Sequence, residues 1–331
     1  NNQKYKHIGK HFPKKIYGTA VAMAMRQKID ELLSLGFITS KLTPEITNIK
    51  IHNDREICNL NDTNPIDILN DEKFLEYLNS EIIKSGLESF ICGNIVTELF
   101  FTDTRRLLLN YIILDNENFY EIKNIDSILR AISYQCFNNE YIWNVSQEEE
   151  DNLSNLSRKI IDKIKNNIVP HNNEILVLAS YKKLKDLSVI YDYFKDNSCD
   201  QNLSKLIKMH VQDFELEEKY KAKIKSLNKI KDKTSLDVRI QYESFPYPRW
   251  DDDSLETYKM LNYVSRINKD IYPNKIKDGK IESVLIAGCG TGYQAIISAV
   301  TDPSVIVHAL DLSKSSLSYG KRKADEYGVK N

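Results

Sequence analysis

Three glycines at alternate positions, Gly288, Gly290 and Gly292 in "AGCGTG", and a later carboxylate, Asp311, are the residues of this 331-residue chain best spaced to act together. Glycine permits a tight turn with positive φ and lets a ligand come close to backbone N–H groups. A helix starting directly behind such a turn favours electron-rich groups at its N-terminus. An acid ~20 residues further on, at the end of the next strand, can accept hydrogen bonds from both hydroxyls of a ribose. Asp311 also suits a plainer role, capping the helix that follows it, and the two roles are compatible. A second group lies upstream in "QYESFPYPRW" (241–250). Pro246 and Pro248 fix an extended or turning backbone around Tyr247. The Arg249 guanidinium can fork onto a carboxylate, and Trp250 or Tyr247 can stack on a ring or face a cation. The same residues would equally serve as a structural lid, with aromatics packed under a sheet and Arg249 bonded to backbone.

The elements that would carry these groups follow from the flanking pattern. "SVLIA" (283–287) is β-branched and apolar, as expected of a fully buried parallel strand, and "YQAIISAV" after the glycines reads as a helix. "VIVHALDLS" (305–313) reads as a second strand ending at Asp311, with the helix "KSSLSYGKRKADEYG" behind it. Strand, glycine turn and helix open a βαβ unit. A phosphate-binding P-loop would place Lys and then Ser or Thr after the last glycine, where Tyr293 and Gln294 stand. A dinucleotide loop would read GxGxxG. GxGxG is the form used for S-adenosylmethionine, which has no phosphate to cradle. In that reading Ala287, Cys289 and Gln294 flank the turn and Leu312 lies against the adenine. Cys289 is a small residue beside the cofactor rather than a nucleophile, since no histidine is near it in sequence.

Ahead of this region the chain reads as helices. Leu75, Leu78 and Ile82 form one stripe over 70–87, with Asn70 or Asp71 as cap and Gly86 as stop. Residues 103–115 give a mostly buried helix. Ile125, Ile128, Leu129, Ile132 and Cys136 follow core-facing helical spacing over 124–138, as do Leu153, Leu156, Ile160, Ile164 and Ile168 over 151–168. Residues 174–181 suit a buried strand or a helix. A helix-like stretch spans 254–269. The lysine-rich run 219–233 suggests a solvated linker or helix face, or a basic rim for an acidic protein substrate. The change in pattern after it places a boundary at 233/234, separating a mainly helical region (1–233) from the start of a Rossmann-like α/β domain (234–331).

"QYESFPYPRW", "VLIAGCGTGYQAI" and "LDLSKSSLSYGKRKADEYGVKN" together resemble a bacterial group of class I S-adenosylmethionine-dependent methyltransferases. That group carries a Y-E-x-x-P-Y-P-R-W element, an A-G-C-G-T-G loop and a D-L-S-x-x-S-L-x-Y-A-x-R-K helix. The chain departs at Phe245, where Asn is common, and at Gly320, where Ala is common. Neither change threatens cofactor binding. "ISYQCFNNEYIW" (132–143) is similar to the group's helical N-terminal region. The Lys/Asn/Ile-rich composition is most similar to the rickettsial-type lysine methyltransferases of outer-membrane protein. The resemblance implies S-adenosylmethionine as cofactor, held by Tyr247, Pro248, Arg249, Trp250, Ala287, Gly288, Cys289, Gly290, Gly292, Gln294, Asp311 and Leu312. It implies a surface outer-membrane protein as substrate and a homodimer formed through the N-terminal helices.

Composition narrows the remaining classes. Apolar content is 41%, charged content 28% and the formal net charge −1, so no general basic field points to nucleic acid. No apolar run approaches the ~20 residues of a membrane helix. Five scattered cysteines without a CxxC pair suggest a reduced, cytoplasmic protein. His7 and His11 are the only histidines at ligand-like spacing, which disfavours a metal-dependent hydrolase. A lysine acceptor must lose its proton before accepting a methyl group, and no residue here identifies itself as the base. Because the class I pattern carries only its first strands, the chain is expected to be the N-terminal portion of a longer enzyme, inactive alone. The alternatives are a helical interaction module with a vestigial methyltransferase start, and a methyltransferase of small molecules.

Overall fold

The computed structural model describes residues 65–250 and 283–331, apart from Phe90, 92–94, Asp115, Ser198 and 228–229. His7, His11 and the stretch 254–269 lie outside the described residues. The chain divides into two compact units, Asn1–Val211 and Gln212–Asn331.

The first unit is helical where described. Its helices are α1 (Pro65–Leu69), α2 (Glu72–Leu78), α3 (Glu81–Ser89), α4 (Ile95–Leu114), α5 (Asn116–Glu121), α6 (Ile125–Asn138), α7 (Gln147–Lys165), α8 (Asn172–Ala179), α9 (Ser188–Asp196) and α10 (Ser204–Ile207). The core is formed where α6 meets α3 and α8, and where α7 meets α4. Ile125, Ile128, Leu129, Ile132 and Cys136 are all buried, as their spacing requires. The ambiguous 174–181 run is helical and almost wholly buried. Ser146 and Glu149 close a capping box at the start of α7, each bonding the other's backbone N–H.

Three expectations shift. The single helix over 70–87 breaks at Asn79–Ser80 into α2 and α3. Asp71 accepts from the Phe74 N–H at 3.0 Å, and Gly86 lies inside α3 rather than ending it. The helix expected over 103–115 begins eight residues earlier, at Ile95. Ile168 is 55% exposed, because α7 ends at Lys165 and Asn167 adopts φ 58°, turning the chain off the buried stripe.

The second unit contains α11 (Asp213–Lys223), α12 (Lys233–Ser244), β1 (Ser283–Ala287), α13 (Tyr293–Thr301), β2 (Ile306–Leu310) and α14 (Lys314–Glu326). It begins earlier than the change in pattern at 234. The reason is ionic. The buried Arg322 of α14 pairs with Glu217 at 2.8 Å and Asp213 at 3.2 Å, so α11 belongs to this unit. The two strands pair in parallel, from Ser283 opposite Ile306 to Ala287 opposite Leu310. Among the described residues, one face of this sheet is covered. Val284, Ile286 and Val307 are half-buried on it, while Leu285 (60%) and Ile306 (55%) on the other face are exposed. The fully buried strand expected at 283–287 is therefore buried on one side among the described residues. After α14 the chain returns to the free edge of β2. The Val307 N–H donates to the Asn331 carbonyl at 2.7 Å, and the Asn331 side-chain amide donates to three carbonyls, closest to Val305 at 2.6 Å.

Candidate functional site

The glycine turn hangs from the end of β2. The N–H groups of Gly288 and Cys289 both donate to the Leu310 carbonyl, at 2.8 and 3.0 Å. Gly288, Gly290 and Gly292 all have positive φ (72°, 53° and 84°), the region that side chains penalise. Their surroundings differ. A Cβ on Gly288 or Gly290 would meet nothing within 4 Å, whereas one on Gly292 would lie 3.0 Å from the Gly320 Cα. Gly292 thus lets α14 pack against the turn, and Gly290 leaves space above it.

Asp311, the first residue after β2, is tied to the turn from across the sheet. One carboxylate oxygen accepts from the Gly290 N–H at 2.8 Å and the other from the Ser313 N–H at 2.9 Å. Helix α14 is capped by Ser313, whose hydroxyl accepts from the Ser316 N–H at 3.0 Å. Ser313 rather than Asp311 is therefore the cap, and Asp311 serves the structure by tying the glycine turn to the residue that caps α14. Each of its oxygens keeps a lone pair beyond the bond it accepts. Leu312 beside it is 41% exposed, and Ala287 and Gln294 are exposed.

The "PYPRW" element docks against the same turn. The Thr291 hydroxyl donates to the Pro248 carbonyl at 2.7 Å, and the Trp250 indole N–H donates to the Thr291 carbonyl at 3.2 Å. The Trp250 N–H donates to the Tyr319 hydroxyl at 2.9 Å, and that hydroxyl in turn donates to the Trp250 carbonyl. The indole stacks on Tyr327, with rings 10° from parallel, and meets the edge of Tyr293. Trp250 is engaged by its own chain in the manner of the structural lid. Arg249 sits over the Tyr319 ring at 5.5 Å, and Tyr247 is 47% exposed. Burial, and then the charge of Asp311, push the Cys289 thiol up to about 11, so almost none of it is thiolate at neutral pH.

Several residues that build this site were not singled out by sequence reasoning. Thr291 and Tyr319 hold the turn to "PYPRW". Glu243, within "YESFPYPRW", meets the start of α14. Their motif positions were visible in the sequence, but their partners lie 40 to 70 residues away in the chain.

A cavity of about 350 Å³ lies beneath the turn, lined by Gly290, Ala295, Val307, Ala309, Leu317 and Ala324 among others. Its wall is mainly small and apolar and excludes Asp311, so it is a gap in the helix–sheet layer rather than the ribose side of a site. Among the described residues no group of three or more His, Cys, Asp or Glu could hold a metal ion, and no helix is long and apolar enough to cross a membrane. No family model, curated protein or solved structure matches the chain.

Proposed function

We propose that the second unit carries the ribose-and-methionine side of an S-adenosylmethionine site in a class I methyltransferase. The observation that carries this reading is the bond from the Gly290 N–H to the Asp311 carboxylate, 2.8 Å long. It brings the acid of β2 to the turn of β1, beside two glycines that open onto free space. Asp311 would receive the ribose hydroxyls, Gly288 and Gly290 would let the cofactor approach the backbone, and Leu312 would lie along the adenine. Arg249 would hold the cofactor's carboxylate, with Tyr247 flanking it. Trp250 would act through the turn it braces. Bound there, the cofactor supplies an electrophilic methyl group; this chain's residues supply alignment, and none is assigned as the base.

The resemblance of the motifs and composition to the rickettsial-type lysine methyltransferases extends the same proposal to a lysine acceptor on a surface outer-membrane protein and to a dimer through the N-terminal helices. Among the described residues, the exposed face of the sheet (Leu285, Ile306, Leu310) is read as a surface against which further elements of such a domain would pack. That exposure also favours a second reading, a helical interaction module attached to a methyltransferase start that no longer closes its pocket.

Calorimetric titration of S-adenosylmethionine into the 331-residue chain and into its Gly290→Asp variant separates them. Binding by the parent and none by the variant supports the cofactor site. Equal heats from both chains refute it.

A further inference from the structure

We infer that Glu243 is a positioning residue for Asp311, holding the two halves of the candidate site in one geometry from the start of α14. Its carboxylate spans the start of that helix. One oxygen accepts from the Lys314 N–H at 2.7 Å, and the other accepts from the Ser315 hydroxyl at 2.8 Å. Lys221 of α11 pairs with it at 2.9 Å, and Arg239 of its own helix stands at 3.9 Å. The Lys314 ammonium turns away to the Ile224 carbonyl, at 2.6 Å. One residue earlier, the Tyr242 carbonyl accepts from the Ser313 hydroxyl at 2.9 Å.

These contacts form a continuous run of hydrogen bonds from α12 to the glycine turn. The first N–H groups of a helix have no partner within it, and here a carboxylate from α12 supplies one, with the favourable sign for the helix dipole. Tyr242 and Glu243 grip Ser313, Lys314 and Ser315. The Ser313 N–H in turn holds Asp311, and Asp311 holds the Gly290 N–H. Helix α12 has no fully buried residue of its own. Its contribution to the unit is this grip on α14 and the "PYPRW" element that leaves its end. The contacts of Glu243 are to Lys314, Ser315, Lys221 and Arg239, and its link to the candidate site runs through Asp311.

The inference rests on the cofactor reading of the glycine turn, and the test keeps the two apart. The 331-residue chain contains eleven glycines, so a [15N]glycine-labelled sample gives a sparse spectrum in which the Gly290 amide can be assigned by Gly290→Ala. In Glu243→Gln one of the two acceptor oxygens and the charge paired with Lys221 are lost, so the Lys314 N–H and the Ser315 hydroxyl can no longer both be accepted. The Gly290 amide is expected to move upfield and its hydrogen exchange to quicken about tenfold, while the far-UV helical signal is kept. Binding of S-adenosylhomocysteine is expected to weaken about tenfold, with Glu243→Gln and Asp311→Asn non-additive in combination. If Glu243→Gln fails to fold, Ser315→Ala removes a single donor of the same network and should produce the same shift in smaller measure. An unchanged Gly290 amide in both variants overturns the inference. If the parent chain binds no S-adenosylhomocysteine, the cofactor reading fails, and the amide measurement still decides whether Glu243 positions Asp311.

Discussion

Replacing Gly292 by Ala should unfold the second unit far more readily than the same change at Gly290, although the two glycines are two residues apart in one turn. Both positions have positive φ, which costs an L-residue about 1–2 kcal/mol. At Gly290 the cost ends there, since its new Cβ has no neighbour within 4 Å. At Gly292 the Cβ would stand 3.0 Å from the Gly320 Cα. Carbon atoms in favourable contact sit about 3.5–4.0 Å apart. Neither partner has a flexible side chain to yield, so the helix or the turn must move. Overpacking of that kind adds about 1–3 kcal/mol. Gly292→Ala should therefore lose about 2 kcal/mol more than Gly290→Ala, roughly a thirtyfold larger unfolded fraction. The assay is urea unfolding followed by tryptophan fluorescence in a Trp143→Phe background. The chain has two tryptophans, and Trp250 then reports on the second unit alone. Equal urea midpoints for the two variants would show that α14 does not pack on the turn through Gly292 and Gly320. Gly290→Ala should at the same time keep the fold and lose cofactor affinity, separating the two duties of the glycines.

Other outcomes follow from the same contacts. Thr291→Val removes the donor to the Pro248 carbonyl and should cost about 1 kcal/mol; near-ultraviolet circular dichroism of Trp250 should weaken as its element loosens, and an unchanged spectrum would argue that the indole alone anchors it. Cys289 should resist iodoacetamide near neutral pH and react progressively as pH rises toward about 11, with Cys199 labelled first among the described cysteines; peptide mass spectrometry reads the order, and rapid labelling of Cys289 would contradict its burial. Burial raises the Glu174 carboxyl's pKa, but hydrogen bonds from Lys163, the His171 N–H and Tyr120 outweigh it and leave the pKa below the usual 4.5. A lowered folded-state pKa stabilises above the unfolded value and is lost as pH falls, so Glu174→Gln should cost about 2 kcal/mol near neutrality and flatten the acid side of the Trp143 unfolding curve below pH of about 5; parallel curves for the two chains would refute the coupling.

What the sequence made legible was local. Strand β1, the glycine turn and α13 follow one another without a gap, and each is written in its own residue types. The stripe Ile125–Cys136 also needed only helical spacing to be read. The misses have nonlocal causes. Ile168 continues the apolar stripe of α7, yet the left-handed Asn167 turns it away to solvent. The unit boundary moved to Val211/Gln212 because the acids of α11 find Arg322 about a hundred residues later, a pairing that only the fold creates. Glu243 looked like an ordinary helix-end acid until α14 placed a bare Lys314 N–H against it. Trp250 was evenly balanced between ligand and lid from its chemistry, and its bond to Thr291 shows it serving the protein's own turn.

In the proposed function the turn at Gly288–Gly292 and Asp311 would receive S-adenosylmethionine. Its most direct test is the amide spectrum of the [15N]glycine-labelled chain titrated with that cofactor, which reports even weak binding. The Gly288 and Gly290 signals should shift and saturate, Gly328 beyond the end of α14 should stay still, and Asp311→Asn should abolish the response. Glycine signals that do not move, or that move identically in Asp311→Asn, would contradict it.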